Sequence, residues 1–325
     1  MASNMHVSDD MLRPELQRFG RIARRAVPYL TPTKIHVINA LAGAQRGIGR
    51  KSLNYEQHFI DRPDGSQLRL CVYTSLNRPH NVPGILYLHG GGYVMERPET
   101  EAFAIQRFIN ATNAVVVAPD YRLASEAPYP AALNDAYLAL KWLQQHGAEY
   151  GMRDDQIMVA GASAGGGLTA ALTLYNRDHG DVGIAFQVPL YPMLDDRMLT
   201  ESSQNNDAPV WNTLSNKLAW QMYLANQFAP NEVPIYAAPS RATDFHDLPA
   251  TCTFIGDVEP FYDETMQYMQ KLKESGVPTF SKVMKGWFHG FDMVCPNSAA
   301  AQEAVHFLTE TLQYATTHFF QKQPE

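Results

Sequence analysis

The residues most suggestive of chemistry are a serine and the small residues around it. The segment Gly161-Ala-Ser-Ala-Gly165 follows an apolar run at 157–160 and precedes a helical pattern that begins near Gly166. A serine in so tight a turn adopts a strained backbone conformation, and its neighbours must be small to avoid clashes. The helix behind it would direct the positive end of its dipole at an oxyanion. We therefore predict that Ser163 is a nucleophile.

A run of three glycines offers donors for that oxyanion. The segment His89-Gly-Gly-Gly-Tyr93 follows an apolar run at 84–88. Consecutive glycines let the backbone approach a ligand and present N–H groups about 3 Å from a developing negative oxygen. Such a loop is expected to act together with the N–H of the residue after the nucleophile. We interpret His89 as a structural residue that fixes the loop by hydrogen bonds.

The general base is expected late in the chain, after an acid. His289 lies in Gly286-Trp-Phe-His-Gly-Phe291, between the last apolar run at 280–284 and the final helical pattern. In open α/β folds, loops at the carboxyl edge of the sheet hold the reactive groups. Several other histidines lie on helical patterns or near the termini, so we predict that His289 is the base.

Three carboxylates compete for the role of the acid. Asp257, Glu259 and Asp263 all follow the apolar run at 251–255. Pro260 suits the first position of a helix, which would leave Glu259 in the turn before it. Acidic residues in a first helical turn are usual because of the helix dipole and need no catalytic role. We favour Glu259 and keep Asp257 and Asp263 as alternatives.

The elements around these motifs alternate between short apolar runs and longer helical patterns. This alternation predicts an α/β fold with a mainly parallel sheet flanked by helices. An Asp64-Gly65 turn joins two further runs, at 55–60 and 67–74, and predicts an antiparallel hairpin at the edge of the sheet. The predicted buried strands are 84–88, 114–118, 157–160, 185–190, 251–255 and 280–284, and the predicted helices are 131–146, 166–176, 262–275 and 299–319.

Two regions do not follow the alternation. Residues 1–50 contain an amphipathic helical pattern, and residues 195–247 contain a polar loop followed by a helix around 214–228. A long insertion in a compact domain is usually a lid or a binding element. We therefore predict cap helices at 1–50, a cap insertion at 195–247, and a hydrolase-type core formed by 51–194 and 248–325.

The bulk composition narrows the class of protein. The net charge of −7 gives no basic face for nucleic acid, and the 45% of apolar residues allow a sizeable core. The three cysteines are far apart, so we expect neither a disulfide framework nor a structural zinc site. No apolar segment is long enough to span a membrane, and the first thirty residues lack a secretory pattern. We expect a cytoplasmic protein.

The motifs together resemble the bacterial hormone-sensitive-lipase-like esterases, also called family IV carboxylesterases. The resemblance runs from the His89 motif to Asp292, roughly two thirds of the chain, and includes the segments 120–132 and 191–196. It implies an α/β-hydrolase fold with a helical cap and hydrolysis of short-acyl esters without cofactor or metal. By the same motifs it implies oxyanion N–H groups from Gly91, Gly92 and Ala164.

This chain departs from the family pattern around the catalytic residues. Ala162 stands where the family usually has an aspartate in the elbow, and Ser125 replaces a common proline. Glu259 occupies the position of the usual catalytic aspartate. A glutamate can also hold the imidazole tautomer and stabilise its cation in this fold.

The predicted function is hydrolysis of short-chain carboxylic esters by a Ser-His-Glu triad through an acyl-enzyme. Four bulky aromatic residues beside the motifs or in the cap are expected to shorten the acyl site: Tyr93, Trp211, Trp287 and Phe288. The alternatives are an amidase, lactonase or peptidase on the same scaffold, and a receptor for a small ligand that has no turnover. The expected partner is a small-molecule ester, and a homodimer is kept as a further hypothesis.

Overall fold

The computed structural model describes residues 6–180 and 182–324. Its centre is one eight-stranded sheet in the order β1-β2-β4-β3-β5-β6-β7-β8. The first two strands pair antiparallel with each other, β2 also pairs antiparallel with β4, and the remaining pairs are parallel. The strands are β1 Asn54–Asp61, β2 Gln67–Thr74, β3 Val82–Leu88, β4 Val115–Pro119, β5 Met152–Ala162, β6 Ile184–Leu190, β7 Ala250–Gly256 and β8 Thr279–Met284.

This sheet confirms the predicted strands and the hairpin at the edge. The strands β3, β4, β6 and β7 are buried along their whole length, as expected for strands covered on both faces. One difference is the length of β5, which begins at Met152 rather than at 157. The polar residues 153–155 that open it are only partly buried, so the apolar run marked only its interior part.

The helices cover the sheet in two layers. One pair of packed helices is α3 (Ala102–Thr112) and α9 (Ala299–His318), and another is α4 (Ala131–His146) and α5 (Ala164–His179). The predicted helices are confirmed with shifts of a few residues at their ends, whereas α2, α3 and α8 were not predicted. The helices are α1 Pro14–Ala26, α2 Pro32–Gly43, α3 Ala102–Thr112, α4 Ala131–His146, α5 Ala164–His179, α6 Thr213–Leu224, α7 Tyr262–Glu274, α8 Phe291–Val294 and α9 Ala299–His318.

The loops that carry the motifs meet at one edge of the sheet. The strands β3, β5, β7 and β8 run parallel, and each predicted catalytic motif follows the carboxyl end of one of them. Helix α7 begins at Tyr262, two residues later than the position of Pro260 suggested. Glu259 nevertheless lies in the turn before the helix, because the chain makes a further turn through Pro260 and Phe261.

The N-terminal helices contact the insertion and the glycine loop. The backbone N–H of Leu30 donates to Oγ of Ser215 at 3.0 Å, and Nδ2 of Asn212 donates to the carbonyl of Pro28 at 2.6 Å. Nδ2 of Asn39 donates to the carbonyl of Val94 at 2.8 Å, next to the glycine loop. These contacts join the two regions expected to form the cap, whose boundaries at 1–50 and 195–247 remain a prediction.

The end of the predicted cap insertion packs on helices of the core and not on the N-terminal helices. Ala242 and Phe245 belong to a second apolar cluster with Leu272 of α7 and Leu174 of α5. Across the described residues, none of the helices is long and apolar enough to cross a membrane.

Candidate active site

Ser163 lies in a strained turn between β5 and α5. Its backbone has φ 58° and ψ −120°, an uncommon conformation for a residue with a side chain. A Cβ at Gly161 would lie 2.4 Å from the carbonyl oxygen of Gly165, and one at Gly165 would lie 2.0 Å from that of Leu88. The turn therefore closes only because these two flanking positions have no side chain.

Backbone hydrogen bonds on both sides of the serine hold the strained turn in place. The N–H of Ser163 donates to the carbonyl of Leu190 at 2.9 Å, at the end of β6. Its own carbonyl accepts from the N–H groups of Gly167 at 2.9 Å and Met193 at 3.0 Å. The neighbouring strand and the first turn of α5 thus over-determine the conformation, which is how folded proteins retain local strain.

A continuous chain of hydrogen bonds links this serine to a buried acid. Oγ of Ser163 lies 2.8 Å from Nε2 of His289, and Nδ1 of the same ring is hydrogen-bonded to Oε2 of Glu259. With Glu259 accepting at Nδ1, the ring holds its proton there and presents a free lone pair to the serine hydroxyl. The arrangement can therefore remove a proton from the hydroxyl and share the resulting charge with a carboxylate.

The carboxyl group of Glu259 is fully buried. This burial raises its pKa above the ordinary value, whereas the interaction with His289 opposes the rise. The backbone N–H of Gly256 donates to its second oxygen at 3.3 Å. Both carboxyl oxygens thus have partners, and the acid is held in one orientation toward the imidazole.

The two competing carboxylates point elsewhere. Oδ1 of Asp257 accepts from the backbone N–H of Gly286 at 2.7 Å, and Oδ2 of Asp263 accepts from that of Ser202 at 2.8 Å. Each of them holds a loop by binding a backbone donor. Of the three acids considered from the sequence, the structure brings Glu259 to the imidazole.

The glycine loop after β3 is held by aromatic and acidic side chains. The ring of His89 stacks on that of Tyr121 with centroids 4.0 Å apart, and its Nδ1 lies 3.0 Å from the carbonyl oxygen of Gly90. The hydroxyl of Tyr121 donates to the carbonyl of His89 at 2.7 Å. These contacts agree with the structural role predicted for His89. The N–H of Gly90 donates to Oε1 of Glu101 at 2.6 Å.

The next two glycines both need positive φ. Gly91 has φ 92° and Gly92 has φ 63°, and a Cβ at Gly91 would lie 2.1 Å from the carbonyl oxygen of Met95. Within the described chain, the N–H groups of Gly91, Gly92 and Ala164 have no hydrogen-bond acceptor. Unpaired donors beside a nucleophile are what an oxyanion hole provides.

A cavity of about 280 Å³ opens over the serine and the glycine loop. Its volume is at the small end of the range for ligand sites. In the described part of the chain no cluster of His, Cys, Asp and Glu is arranged to hold a metal ion. The cavity is lined by Gly90, Gly91, Gly92, Met95, Glu96, Thr100, Glu101, Ala162, Ser163, Tyr191, Val210, Trp211, His289, Gly290, Met293 and Val294.

Comparison with known proteins agrees with this geometry. A family model described as alpha/beta hydrolase fold matches residues 85–293. The chain is 35% identical to "Esterase LipI" of Mycobacterium tuberculosis over 69% of this chain and 70% of that protein. It is 34% identical to "Carboxylesterase NlhH" of the same species, over 77% and 80% of the two chains. The chain is a hormone-sensitive-lipase-like alpha/beta hydrolase. The predicted family, fold and class of carboxylic-ester hydrolase are thereby confirmed.

Solved structures of this hydrolase family extend the match to nearly the whole chain. The structure titled "Bacterial Heroin Esterase" superposes with a TM-score of 0.85 at 31% identity, covering 95% of this chain and 99% of that one. Esterase LipW from Mycobacterium marinum gives a TM-score of 0.82 at 28% identity, covering 95% and 97%. The N-terminal helices outside the family model are therefore part of an architecture that related esterases share.

Of the four aromatic residues expected to shape the hydrolase's acyl site, only Trp211 lines the cavity. A Cβ at Gly92 would lie 2.4 Å from Cη2 of its indole, so this ring closes the cavity beside the glycine loop.

The other three aromatic side chains lie elsewhere. Tyr93 stacks on Tyr223 with centroids 3.9 Å apart, Trp287 packs against Phe291, and Phe288 stacks on Phe19. All three are buried and do not belong to the cavity lining. Their rings pack against other aromatic side chains and so support the loops from the side away from the cavity.

Among the cavity residues that sequence reasoning missed are two glutamates and a tyrosine. Glu96 and Glu101 lie in the polar segment after the glycine loop, which gave no periodic pattern. Tyr191 was noted only as part of the family resemblance, yet its ring meets that of His289 edge-on with centroids 5.0 Å apart. The one available signal was the unusual density of acidic residues at 96–101 directly after the oxyanion motif.

Proposed function

We propose that this chain is a carboxylesterase that hydrolyses short-chain acyl esters through Ser163, His289 and Glu259. The observation that supports the proposal most is the unbroken path from Oγ of Ser163 through both nitrogens of His289 to the buried carboxyl of Glu259. The path joins three segments that are far apart in sequence, so local chain geometry alone does not produce it.

The reaction proceeds in two halves. His289 takes the proton of the Ser163 hydroxyl while Oγ attacks the ester carbonyl, and the N–H groups of Gly91, Gly92 and Ala164 stabilise the tetrahedral oxyanion. His289 then gives the proton to the departing alcohol, which leaves an acyl-enzyme. A water molecule, activated by the same imidazole, attacks the acyl group and releases the carboxylic acid. Glu259 stabilises the imidazolium in both halves.

The size of the cavity supports a preference for short acyl groups. Its volume of about 280 Å³ leaves little room beyond the reacting ester, and the indole of Trp211 closes it against Gly92. We expect acetyl to about hexanoyl esters to be hydrolysed well and longer acyl chains to be hydrolysed slowly.

The proposal is tested with p-nitrophenyl esters from acetate to palmitate and with p-nitroacetanilide. The wild type should hydrolyse the short esters fastest and the anilide much more slowly, and Ser163→Ala should lose nearly all of the activity. Intact-mass measurement of wild type quenched during turnover should show one added acetyl group, absent from Ser163→Ala. Faster cleavage of the anilide would indicate an amidase, and binding without any turnover would indicate a receptor; either result overturns the proposal.

A further inference from the structure

Two acidic side chains outside the proposed triad line the catalytic cavity. Glu96 and Glu101 flank the turn that follows the glycine loop. A Cβ at Gly90 would lie 2.9 Å from Oε1 of Glu101 and 3.5 Å from Cβ of Ser163. A Cβ at Gly91 would lie 3.1 Å from Cγ of Glu96. The two acids thus lie directly behind the glycines that face the nucleophile.

The two carboxyl groups lie close enough to affect each other's ionisation. Ionisation of one carboxyl group opposes ionisation of the other, because two neighbouring carboxylates repel each other. Burial raises the pKa of both groups, and that of Glu101 well above its ordinary value. Glu101 also accepts from the hydroxyl of Tyr87 and the N–H of Gly90, both at 2.6 Å.

Glu96 is the more accessible member of the pair. It is half-buried, whereas Glu101 is 5% exposed. None of the described residues that line the cavity is a lysine or an arginine. The nearby guanidinium groups are occupied, since Arg97 binds Asp120 and Arg107 binds Asp292. The carboxyl group of Glu96 therefore faces the cavity without a basic partner in its wall.

A negative charge in this position affects esters differently according to their own charge. It opposes the oxyanion that forms on any ester beside Gly91, and it attracts a cation carried by the substrate. The same cavity wall contains the indole of Trp211 and the phenol ring of Tyr191. Aromatic faces combined with a carboxylate are a typical environment for alkylammonium groups, which bind through cation–π attraction.

We propose that the Glu96–Glu101 pair makes this cavity selective for esters that carry an ammonium group close to the ester carbonyl. The inference rests on the proposed esterase function and specifies its substrate class. Glu96 is a specificity-determining residue in this scheme, and Trp211 contributes an aromatic face to the same cation.

The test compares each cationic ester with a neutral ester of the same shape. Acetylcholine is paired with 3,3-dimethylbutyl acetate, and betaine ethyl ester is paired with ethyl 3,3-dimethylbutanoate. The ratio of kcat/KM within each pair is measured for wild type, Glu96→Gln and Glu96→Gly. Because the ratio is compared between enzymes, the intrinsic reactivity of each ester cancels. Glycine suits the φ of 77° at this position, so this variant keeps the loop conformation.

We expect both variants to lower the ratio by about tenfold or more in at least one pair. Glu310→Gln, which removes an exposed charge on α9, is the matched control and should leave the ratio unchanged. Ratios that are equal in wild type and both variants, with p-nitrophenyl acetate still hydrolysed, overturn this inference alone. An absence of turnover of every ester overturns the proposed function and this inference with it.

Discussion

Two buried glutamates support two parts of the candidate active site, the imidazole of His289 and the glycine loop, by different means. Glu259 lies behind His289, a partner that gains positive charge in the proposed reaction. Glu101 lies behind the glycine loop, where it accepts from the N–H of Gly90. The partners of Glu101 gain no charge when the oxyanion forms.

The two acids are expected to contribute different properties. Glu259 contributes its negative charge, and Glu101 contributes a hydrogen-bond acceptor. At Glu259 the negative charge itself stabilises the imidazolium, so a neutral side chain of equal size should fail. At Glu101 the essential feature is an acceptor for Gly90, and a second negative charge beside the oxyanion would work against the reaction. Substituting glutamine at both positions therefore gives opposite expectations.

The largest expected effect is that of Glu259→Gln. We expect kcat to fall roughly 10⁴-fold, because an amide does not stabilise the imidazolium and favours the wrong tautomer of His289. The measurement is steady-state hydrolysis of p-nitrophenyl acetate, with circular dichroism to establish that the variant is folded.

The controls for this substitution are Asp257→Asn and Asp263→Asn. Their carboxylates bind the backbone N–H groups of Gly286 and Ser202, so we expect lower stability but a kcat within about tenfold of wild type. If one of them abolished activity while Glu259→Gln remained within tenfold, the assignment of the acid would have to change.

The next effect is expected at Glu101, where acceptor and charge can be separated. Glu101→Leu leaves the N–H of Gly90 without an acceptor, and we expect kcat to fall by about 10²-fold with little change in KM, since the displaced loop acts on the transition state. Glu101→Gln keeps an oxygen acceptor and should remain within about tenfold of wild type.

A matched substitution at a buried acid outside the cavity lining controls for general destabilisation. Glu264 accepts from the backbone N–H of Leu194 at 2.7 Å and does not line the cavity. We expect Glu264→Leu to be less stable but to keep kcat per folded molecule. An equal loss of kcat in Glu101→Gln and Glu101→Leu would show that charge, and not the acceptor, is what the glycine loop needs.

The sequence predicted the position of Glu259 better than that of Glu101. Ser163, His289 and Glu259 each follow the end of a parallel strand, and parallel strands bring their carboxyl ends to one edge. The order of strands and loops was therefore sufficient to group them. Glu101 contacts Gly90 across a turn of irregular structure, which no periodic pattern predicts.

The residues that line the cavity were predicted less well than Ser163, His289 and Glu259, again because irregular loops position them. Trp287 and Phe288 are adjacent to His289 in sequence, yet their side chains pack against Phe291 and Phe19. In an irregular loop the direction of each side chain depends on packing with residues such as Phe19, which is distant in sequence. Closeness in sequence to a catalytic residue therefore did not indicate closeness to the substrate.

A smaller effect concerns the pH dependence of stability. Burial raises the pKa of Glu101 in the folded state above its value in the unfolded chain, so the folded state binds more protons. The free energy of unfolding therefore falls as pH rises from the ordinary glutamate pKa, about 4.3, toward the raised value. Glu101→Gln removes this contribution.

We expect Glu101→Gln to lose less stability than wild type between about pH 5 and about pH 8, measured by urea unfolding at both values. Glu310→Gln on the surface should behave like wild type. A steeper loss in Glu101→Gln than in wild type would mean that the buried carboxyl is stabilised in its ionised form.

The smallest expected effect is at Glu96, the partner of Glu101. Its φ of 77° disfavours any residue with a Cβ, and Glu96→Gly relieves this strain while making the unfolded chain more flexible. We expect a net gain of at most about 1 kcal/mol in the free energy of unfolding. Asn113→Gly, at φ 58° after α3, is the control and should gain less, because asparagine tolerates this conformation. A loss of stability in Glu96→Gly would show that the contacts of the Glu96 side chain outweigh the strain.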